Sequence, residues 1–331
     1  MMKKLILALA AAAFLLPLAA QSASGKWSVE LGAWYAQPRD ISAQYATIVN
    51  YDTLANMGTA TNSPERRWSP EIKLSYETPT WKVWLSYFHY DKTANGFASG
   101  TPGQSILSAN YVRFSEASYG YPTVFADMAT ASTRLNQTDW ALNIGRKFHP
   151  AKNWEMLVYT GVSRAEATLD NNFVYADNHG YLTPPGSSVV AMQSYSTGWG
   201  LNFGLINSFK ASKHLAFNAG ASIDMLSLKE DASFLQTDID NTGYESIDFQ
   251  QFDSKTTVSP AFKIFIEGQV NFTSNWYAKL GYRYRMMRDV FNDSLTPSDT
   301  LASLYFGLSS GATPHHNLSE EGFYASVGFS W

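Results

Sequence analysis

The stretch LAFNAGASIDM, residues Leu215 to Met225, alternates apolar and polar side chains without a break. Leu215, Phe217, Ala219, Ala221, Ile223 and Met225 fall on one face. Ala216, Asn218, Gly220, Ser222 and Asp224 fall on the other. A strand sends successive side chains to opposite sides, so the segment predicts a strand with one apolar face and one polar or small face. The pattern inverts at Leu226-Ser227-Leu228, which ends the regular strand near Leu226, a bulge there being the alternative. Trp276 to Met287 repeats the alternation, and so does the closing Phe323-x-Ala325-x-Val327-x-Phe329-x-Trp331.

Working outward, ten such segments emerge, near residues 26–36, 67–77, 81–91, 137–148, 154–168, 198–209, 214–226, 256–270, 276–288 and 321–331. The connections alternate in length. Short ones fall near Glu77–Thr80, His149–Asn153, Lys210–Lys213 and Asn271–Asn275, and long ones near 37–66, 92–136, 169–197, 227–255 and 289–320. Short turns at one end and long loops at the other are the pattern of outer-membrane barrels, and a soluble sandwich does not require it. The expectation is an all-β fold: an antiparallel up-and-down transmembrane β-barrel of about ten strands (ten to twelve), with short periplasmic turns and long outer loops. The stretch 92–136 is long for a structureless connection, so it either hides another hairpin or folds inward as a plug.

The N-terminus supports export. Lys3 and Lys4 precede an uncharged apolar run from Leu5 to Ala20, broken by Pro17 and followed by small residues. This reads as a cleaved secretory signal peptide over residues 1–23, leaving one barrel domain over 24–331. The chain has no cysteine, which removes disulfides, thiolate metal sites and lipoprotein processing. Without the leader, 22 basic residues face 28 acidic ones, a balance that argues against nucleic acid as a partner. Charged residues make up only 16% of the chain, against about 25% for an ordinary soluble protein. A surface turned toward lipid needs little charge. No cofactor is implied by any motif.

The tryptophans test this topology. Trp and Tyr prefer the membrane–water interface, where ring and polar N–H or O–H are both accommodated. Trp27, Trp81, Trp154 and Trp276 sit where strands leave the short turns, with Trp331 at the same level. Trp68, Trp140 and Trp199 sit where strands leave the long loops. These are two girdles. Trp34 and Trp84 have the opposite parity and read as lumen packing in preference to a binding role.

The inward parity carries Glu30, Glu71, Lys73, Lys82, Glu155, Asp224, Lys263, Glu267, Lys279, Arg283 and Arg285 as pore-lining candidates. A turn centred near Thr273 places Glu267 opposite Lys279 and Lys263 opposite Arg283. On that register Glu267 and Lys279 neutralise each other. Lys263, Arg283 and Arg285 then form either a positive constriction favouring anions or part of a network with acidic residues of other strands. Inward Gly200, Gly204, Gly220, Gly281, Gly322 and Gly328 leave room, while Trp84, Phe88, Tyr159, Phe265 and Tyr277 take it up. The inward parity therefore fits both an open and a filled lumen.

The segments Trp81–Asp91 (WKVWLSYFHYD), Asp139–His149 (DWALNIGRKFH), Gly198–Leu205 (GWGLNFGL), Leu215–Leu228 (LAFNAGASIDMLSL) and Gly281–Val290 (GYRYRMMRDV) resemble the Legionella-type major outer membrane protein family of pore-forming barrels. Their order and spacing are similar across most of the mature chain, though the loops are not. The resemblance implies a porin-like role in the outer membrane and transfers no catalytic residue. Phe323, Val327, Phe329 and Trp331 also look like the C-terminal strand read by outer-membrane assembly machinery, where a terminal Phe is commoner than Trp.

Three functional readings follow. The first is a porin-like pore passing ions or small solutes through a narrow lumen. The second is a structural or adhesive barrel whose long loops bind a partner. The third is an enzyme on the outer rim. The expected partners are outer-membrane lipid and lipopolysaccharide, the barrel-assembly machinery and, as an option, further copies of the chain. For catalysis the loops offer His89-Tyr90-Asp91 and Asp238-x-Asp240, but no feature of the sequence brings them together. Asp238-x-Asp240-x-Thr242-Gly243 begins like a calcium loop yet has Phe249 where an EF-hand needs Glu. His315 and His316 are adjacent and do not share a face, so no metal ligand is assigned.

Overall fold

The computed structural model describes residues 25–39, 41, 43–50, 53, 56–108, 125–176, 186–291 and 317–331; the segment expected as a signal peptide, residues 1–23, and His315-His316 lie outside them. Its strands are β1 (Lys26–Arg39), β2 (Ala43–Asn50), β3 (Asn56–Asn62), β4 (Arg67–Glu77), β5 (Trp81–Ser99), β6 (Gln104–Ser108), β7 (Phe125–Ala126), β8 (Met128–Ala151), β9 (Trp154–Ala176), β10 (Gly186–Lys210), β11 (Leu215–Asp240), β12 (Glu245–Asn271), β13 (Trp276–Met287) and β14 (Leu318–Ser330). Ten of them close an antiparallel barrel in the ring order β1-β14-β13-β12-β11-β10-β9-β8-β5-β4. β1 pairs with β14 on one side and β4 on the other, so the ring has no free edge.

Three of the short turns are built by one device. Thr78, Ser212 and Thr273 each turn a side-chain hydroxyl back to accept the backbone N–H groups two and three residues on. Such a cap sets where the hairpin folds over, and hence its register. In β12–β13 the capped turn is centred on Ser274, so Lys263 lies opposite Arg285, Glu267 opposite Gly281 and Gln269 opposite Lys279. The register expected from a turn at Thr273 is therefore shifted by two residues. A shift of two keeps every side chain on its expected face.

The strand starts at the turn end match the sequence reading, but the strands run further at the other end. Most of the expected long loops are strand. β5 continues to Ser99, β8 begins at Met128, β10 at Gly186, and β11 reaches Asp240. A tilted strand crosses the hydrocarbon in about 9–11 residues. β11 has 26. More than half of it stands clear of the membrane. This explains the inversion at Leu226-Ser227-Leu228, which is neither a strand end nor a bulge. Leu226 and Leu228 stay on the inward face with Asp224, and Ser227 stays outward with Met225. What changes is the surroundings. Above the membrane the outer face meets water and the interior becomes an ordinary apolar core.

The remaining strands form a four-stranded sheet ordered β3-β2-β6-β7. Its Tyr45, Ala46, Ile106 and Ala126 are buried with the inward Ala129, Phe173, Val190 and Phe234 of β8 to β11, so it fills the upper barrel. Tyr45 and Phe173 stack with ring centroids 6.3 Å apart, and the Tyr175 hydroxyl donates to the Tyr45 carbonyl at 2.6 Å. The barrel thus has ten strands, not twelve. The described part of 92–136 supplies β6 and β7 to this mouth sheet, besides extending β5 and β8.

Candidate functional site in the lumen

The outer surface fixes the membrane level. Trp68, Trp81, Trp154, Trp199 and Trp276 are exposed on the outer face. Trp140 packs at a tilt against Tyr87, and Trp68 against Tyr35, at the upper level. Trp27 lies against Tyr76, and Trp331 against Phe329, at the turn end. Between these levels the outer face carries exposed Leu142, Ile144, Leu201, Phe203, Ile264 and Ile266, the side chains that lipid requires. Phe323 and Val327 of β14 lie in the same belt.

Inside this belt lies a cavity of about 930 Å³. All eleven charged residues assigned to the inward parity line it: Glu30, Glu71, Lys73, Lys82, Glu155, Asp224, Lys263, Glu267, Lys279, Arg283 and Arg285. Thr78, Pro79, Lys213 and Ser274 of the short turns also line it, so it opens at the turn end. Three of the six inward glycines do not widen it. Gly204 lies opposite Tyr159, Gly220 opposite Phe265 and Gly328 opposite Tyr277, and in each pair the ring covers the place a Cβ would occupy.

The charges are paired across strands. Glu30 accepts from Lys279 at 2.8 Å and from Ser326 at 2.8 Å, and also from Tyr277 and Tyr324. Glu267 lies 3.3 Å from Lys279 on the diagonal and 3.8 Å from Arg283, which also bonds Glu71. Lys263 meets Asp224 at 3.4 Å. Arg285 bonds Asp139 and lies 3.4 Å from Glu320. The positive constriction expected from Lys263, Arg283 and Arg285 is therefore absent, because acidic groups of β4, β8, β11 and β14 reach each cation. Near the turns, Lys82 and Lys147 share Glu77, and Lys147 and His149 approach Glu155.

Sequence reasoning missed Asp139, Lys147, Glu77 and Glu320. The signal for two of them was present. Trp140, Leu142 and Ile144 face outward on β8, so Asp139 and Lys147 had to face inward by parity. Glu320 lay before the expected start of the last strand.

Above the cavity the inward side chains form a buried apolar layer. Trp34 of β1, Phe88 of β5, Leu135 of β8, Leu169 of β9, Leu228 of β11 and Met287 of β13 belong to one buried apolar cluster drawn from the whole circumference. Trp34 packs on Phe88 at 5.4 Å, and Trp84 meets Tyr159 edge-on at 4.8 Å.

The loop residues considered for chemistry are held apart. His89 and Asp91 are on β5, whereas Asp238 and Asp240 are on β11, four places away in the ring. Asp91 is engaged by Arg134, which holds its carboxyl below the usual range. Among the described residues, no group of three His, Cys, Asp or Glu side chains is arranged to hold a metal.

The model of the Legionella pneumophila major outer membrane protein precursor family matches residues 20–293. The chain belongs to that family. As a Legionella-type major outer membrane protein, it is an outer-membrane β-barrel, in agreement with the closed ring and the lipid-facing belt. No curated protein sequence matches it. Among solved structures, this major outer membrane protein is similar to the outer membrane protease OmpT from Escherichia coli, with 8% identity, 94% of this chain and 99% of that one covered, and a TM-score of 0.48. It is also similar to a major outer membrane protein from Thermus thermophilus, with 12% identity, 93% and 100% coverage and a TM-score of 0.33. The toluene transporter TodX of P. putida follows with 10% identity, 95% and 91% coverage and a TM-score of 0.33.

Proposed function

We propose that this barrel is a narrow, gated diffusion pore for small solutes, with a water-accessible vestibule on the periplasmic side and a closed gate above it. The observation that carries the reading is the charged cavity of about 930 Å³ that opens at the turns and stops at the apolar layer. A purely structural barrel has no need of a hydrated, ion-paired lumen, since burying charge is costly and small barrels are readily filled by apolar side chains. Passage requires the mouth sheet and the layer beneath it to move, so conduction should be small and intermittent.

The test is planar-bilayer recording of the purified protein. The cysteine-free chain allows a clean lock. Cysteines at Tyr45 and Phe173, joined by a short thiol-reactive linker, tie the mouth sheet to the barrel wall. The wild type should show brief openings, and the linked variant none until the linker is cleaved. A wild-type barrel that never conducts, or a linked one that conducts equally, ends the gated-pore reading.

A second reading, a surface barrel that holds a partner, is favoured by the β11–β12 hairpin, where Tyr244, Ile247 and Phe252 are about 70% exposed far above the girdle. We place the outer-rim enzyme behind both, because its candidate groups sit on strands four places apart and Asp91 and Asp240 are already engaged. The proposed partners are lipopolysaccharide and lipid around the belt, the assembly machinery acting on β14, and further copies of the chain.

A further inference from the structure

We propose that the vestibule is a binding site for small planar organic anions, an aromatic ring bearing a carboxylate, held between Lys73 and Trp84. This rests on the vestibule of the reading above and not on its gate.

Lys73 is the odd cation of the lumen. It lies directly opposite Glu30 on the neighbouring strand, the natural partner for a cross-strand ion pair. Glu30, however, is saturated by Lys279, Tyr277, Tyr324 and Ser326. Glu71, Glu267 and Asp224 are likewise taken by Arg283, Lys279 and Lys263. Among the described residues, Lys73 makes no salt bridge with a carboxylate. Its ammonium instead stands 5.3 Å from the centre of the Trp84 ring. Four carboxylates here, Glu30, Glu71, Glu267 and Asp224, balance four cations, Lys73, Lys279, Arg283 and Lys263, but Lys73 alone of the four cations has no salt bridge among the described residues, and it faces the cavity. Glu320 is buried above and does not itself line the cavity, although its partners Asp139 and Arg285 do.

The walls beside Lys73 are rings. Trp84, Tyr159, Phe88 and Phe265 line the same space, and Trp84 and Tyr159 meet edge-on at a 69° angle. Apolar faces with one convergent charge are what a small-molecule site needs, and 930 Å³ lies within the usual range of such sites. At the cavity entrance Lys26, Lys210 and Lys213 also lack a carboxylate partner among the described residues, so they draw anions inward. A carboxylate on Lys73 replaces the missing Glu30, and its ring lies against Trp84.

The probe is sodium benzoate, titrated calorimetrically into detergent-solubilised barrel at low salt, with benzyl alcohol as the neutral counterpart. Benzoate should saturate and bind at least about tenfold more tightly than the alcohol, the worth of one charge-assisted contact. Lys73→Met should lose about tenfold or more, and Lys73→Arg should retain most of the affinity. Trp84→Leu should weaken benzoate as well. Equal affinity in wild type and Lys73→Met overturns the site. If Lys73→Met does not fold, wild-type protein decides: benzoate should protect Lys73 from acylation by an amine-reactive ester, read by mass spectrometry, and no protection overturns the site. A barrel that binds benzoate but never conducts keeps this site and loses the pore. One that conducts without binding benzoate keeps the pore and loses the site.

Discussion

Arg285 and Asp139 clasp each other across the full width of the barrel. β13 and β8 stand five places apart in a ring of ten, so the two residues come from opposite walls. The guanidinium donates both Nη groups to the two carboxylate oxygens, Nη2 to Oδ1 at 2.8 Å. Arg285 also meets Glu320 at 3.4 Å, and Gln137 donates to Asp139 at 2.9 Å. The brace lies at the floor of the apolar seal and ties its two sides together.

Removing this cation should cost more than removing either carboxylate. Arg285→Met leaves Asp139 and Glu320 buried together with no counter-ion, and should destabilise the barrel by about 3–5 kcal/mol. Asp139→Asn leaves Arg285 paired with Glu320 and should cost less. Urea unfolding in lipid vesicles gives both values, and equal costs would show that Glu320 does not share the guanidinium.

The lipid belt makes a parity prediction. Ala221 faces outward beside Ile264, while its neighbour Ser222 lines the cavity opposite Lys263. Ala221→Arg should lose about 2–4 kcal/mol near the membrane midplane. Ser222→Arg should lose less, since water reaches it. The same unfolding assay compares them, and the reverse order contradicts the observed register.

Ring-over-glycine packing predicts a rescue. Gly204→Leu drives a side chain into the Tyr159 ring, and overpacking of this kind costs about 1–3 kcal/mol. Adding Tyr159→Ala vacates the space, so the double variant should recover stability relative to Gly204→Leu. Strictly additive losses in the two variants would mean that the residues do not share one volume.

The β11–β12 hairpin tip should be acid-sensitive. The Asp240 carboxylate accepts from the Thr242 hydroxyl and from the backbone N–H groups of Thr242 and Tyr244, which hold its pKa below the ordinary 3.8. A depressed carboxyl stabilises the tip above its unfolded-state pKa, and that contribution is lost as pH falls through the lower folded-state value. Hydrogen exchange at Thr242 and Tyr244, corrected for intrinsic rates, should quicken below about pH 4 in the wild type. Asp240→Ala should exchange fast throughout and show no such step.

Alternation from Leu215 to Met225, and its repeats, determined by themselves that this is a barrel, which face of each strand meets lipid, and where the tryptophan girdles lie. Those properties follow from a period of two, which is local. The same parity put the eleven charged residues in the lumen. It could not say which charges meet, because Asp139 and Arg285 are far apart in the chain and meet only because closure of the ring sets their strands on facing walls. The register of β12 on β13 depended on a single hydroxyl of Thr273 capping the turn. The apparent break at Leu226-Ser227-Leu228 was a change of medium and not of backbone, and only the height of the barrel above the membrane reveals that. Packing alone decided that the cavity stops at an apolar layer, since rings filled the spaces left by three of the inward glycines and the mouth sheet entered from segments that read as loop. Among the described residues Lys73 makes no salt bridge for the same reason: its facing carboxylate is claimed by Lys279, on a strand that closure, and not sequence, brings within reach.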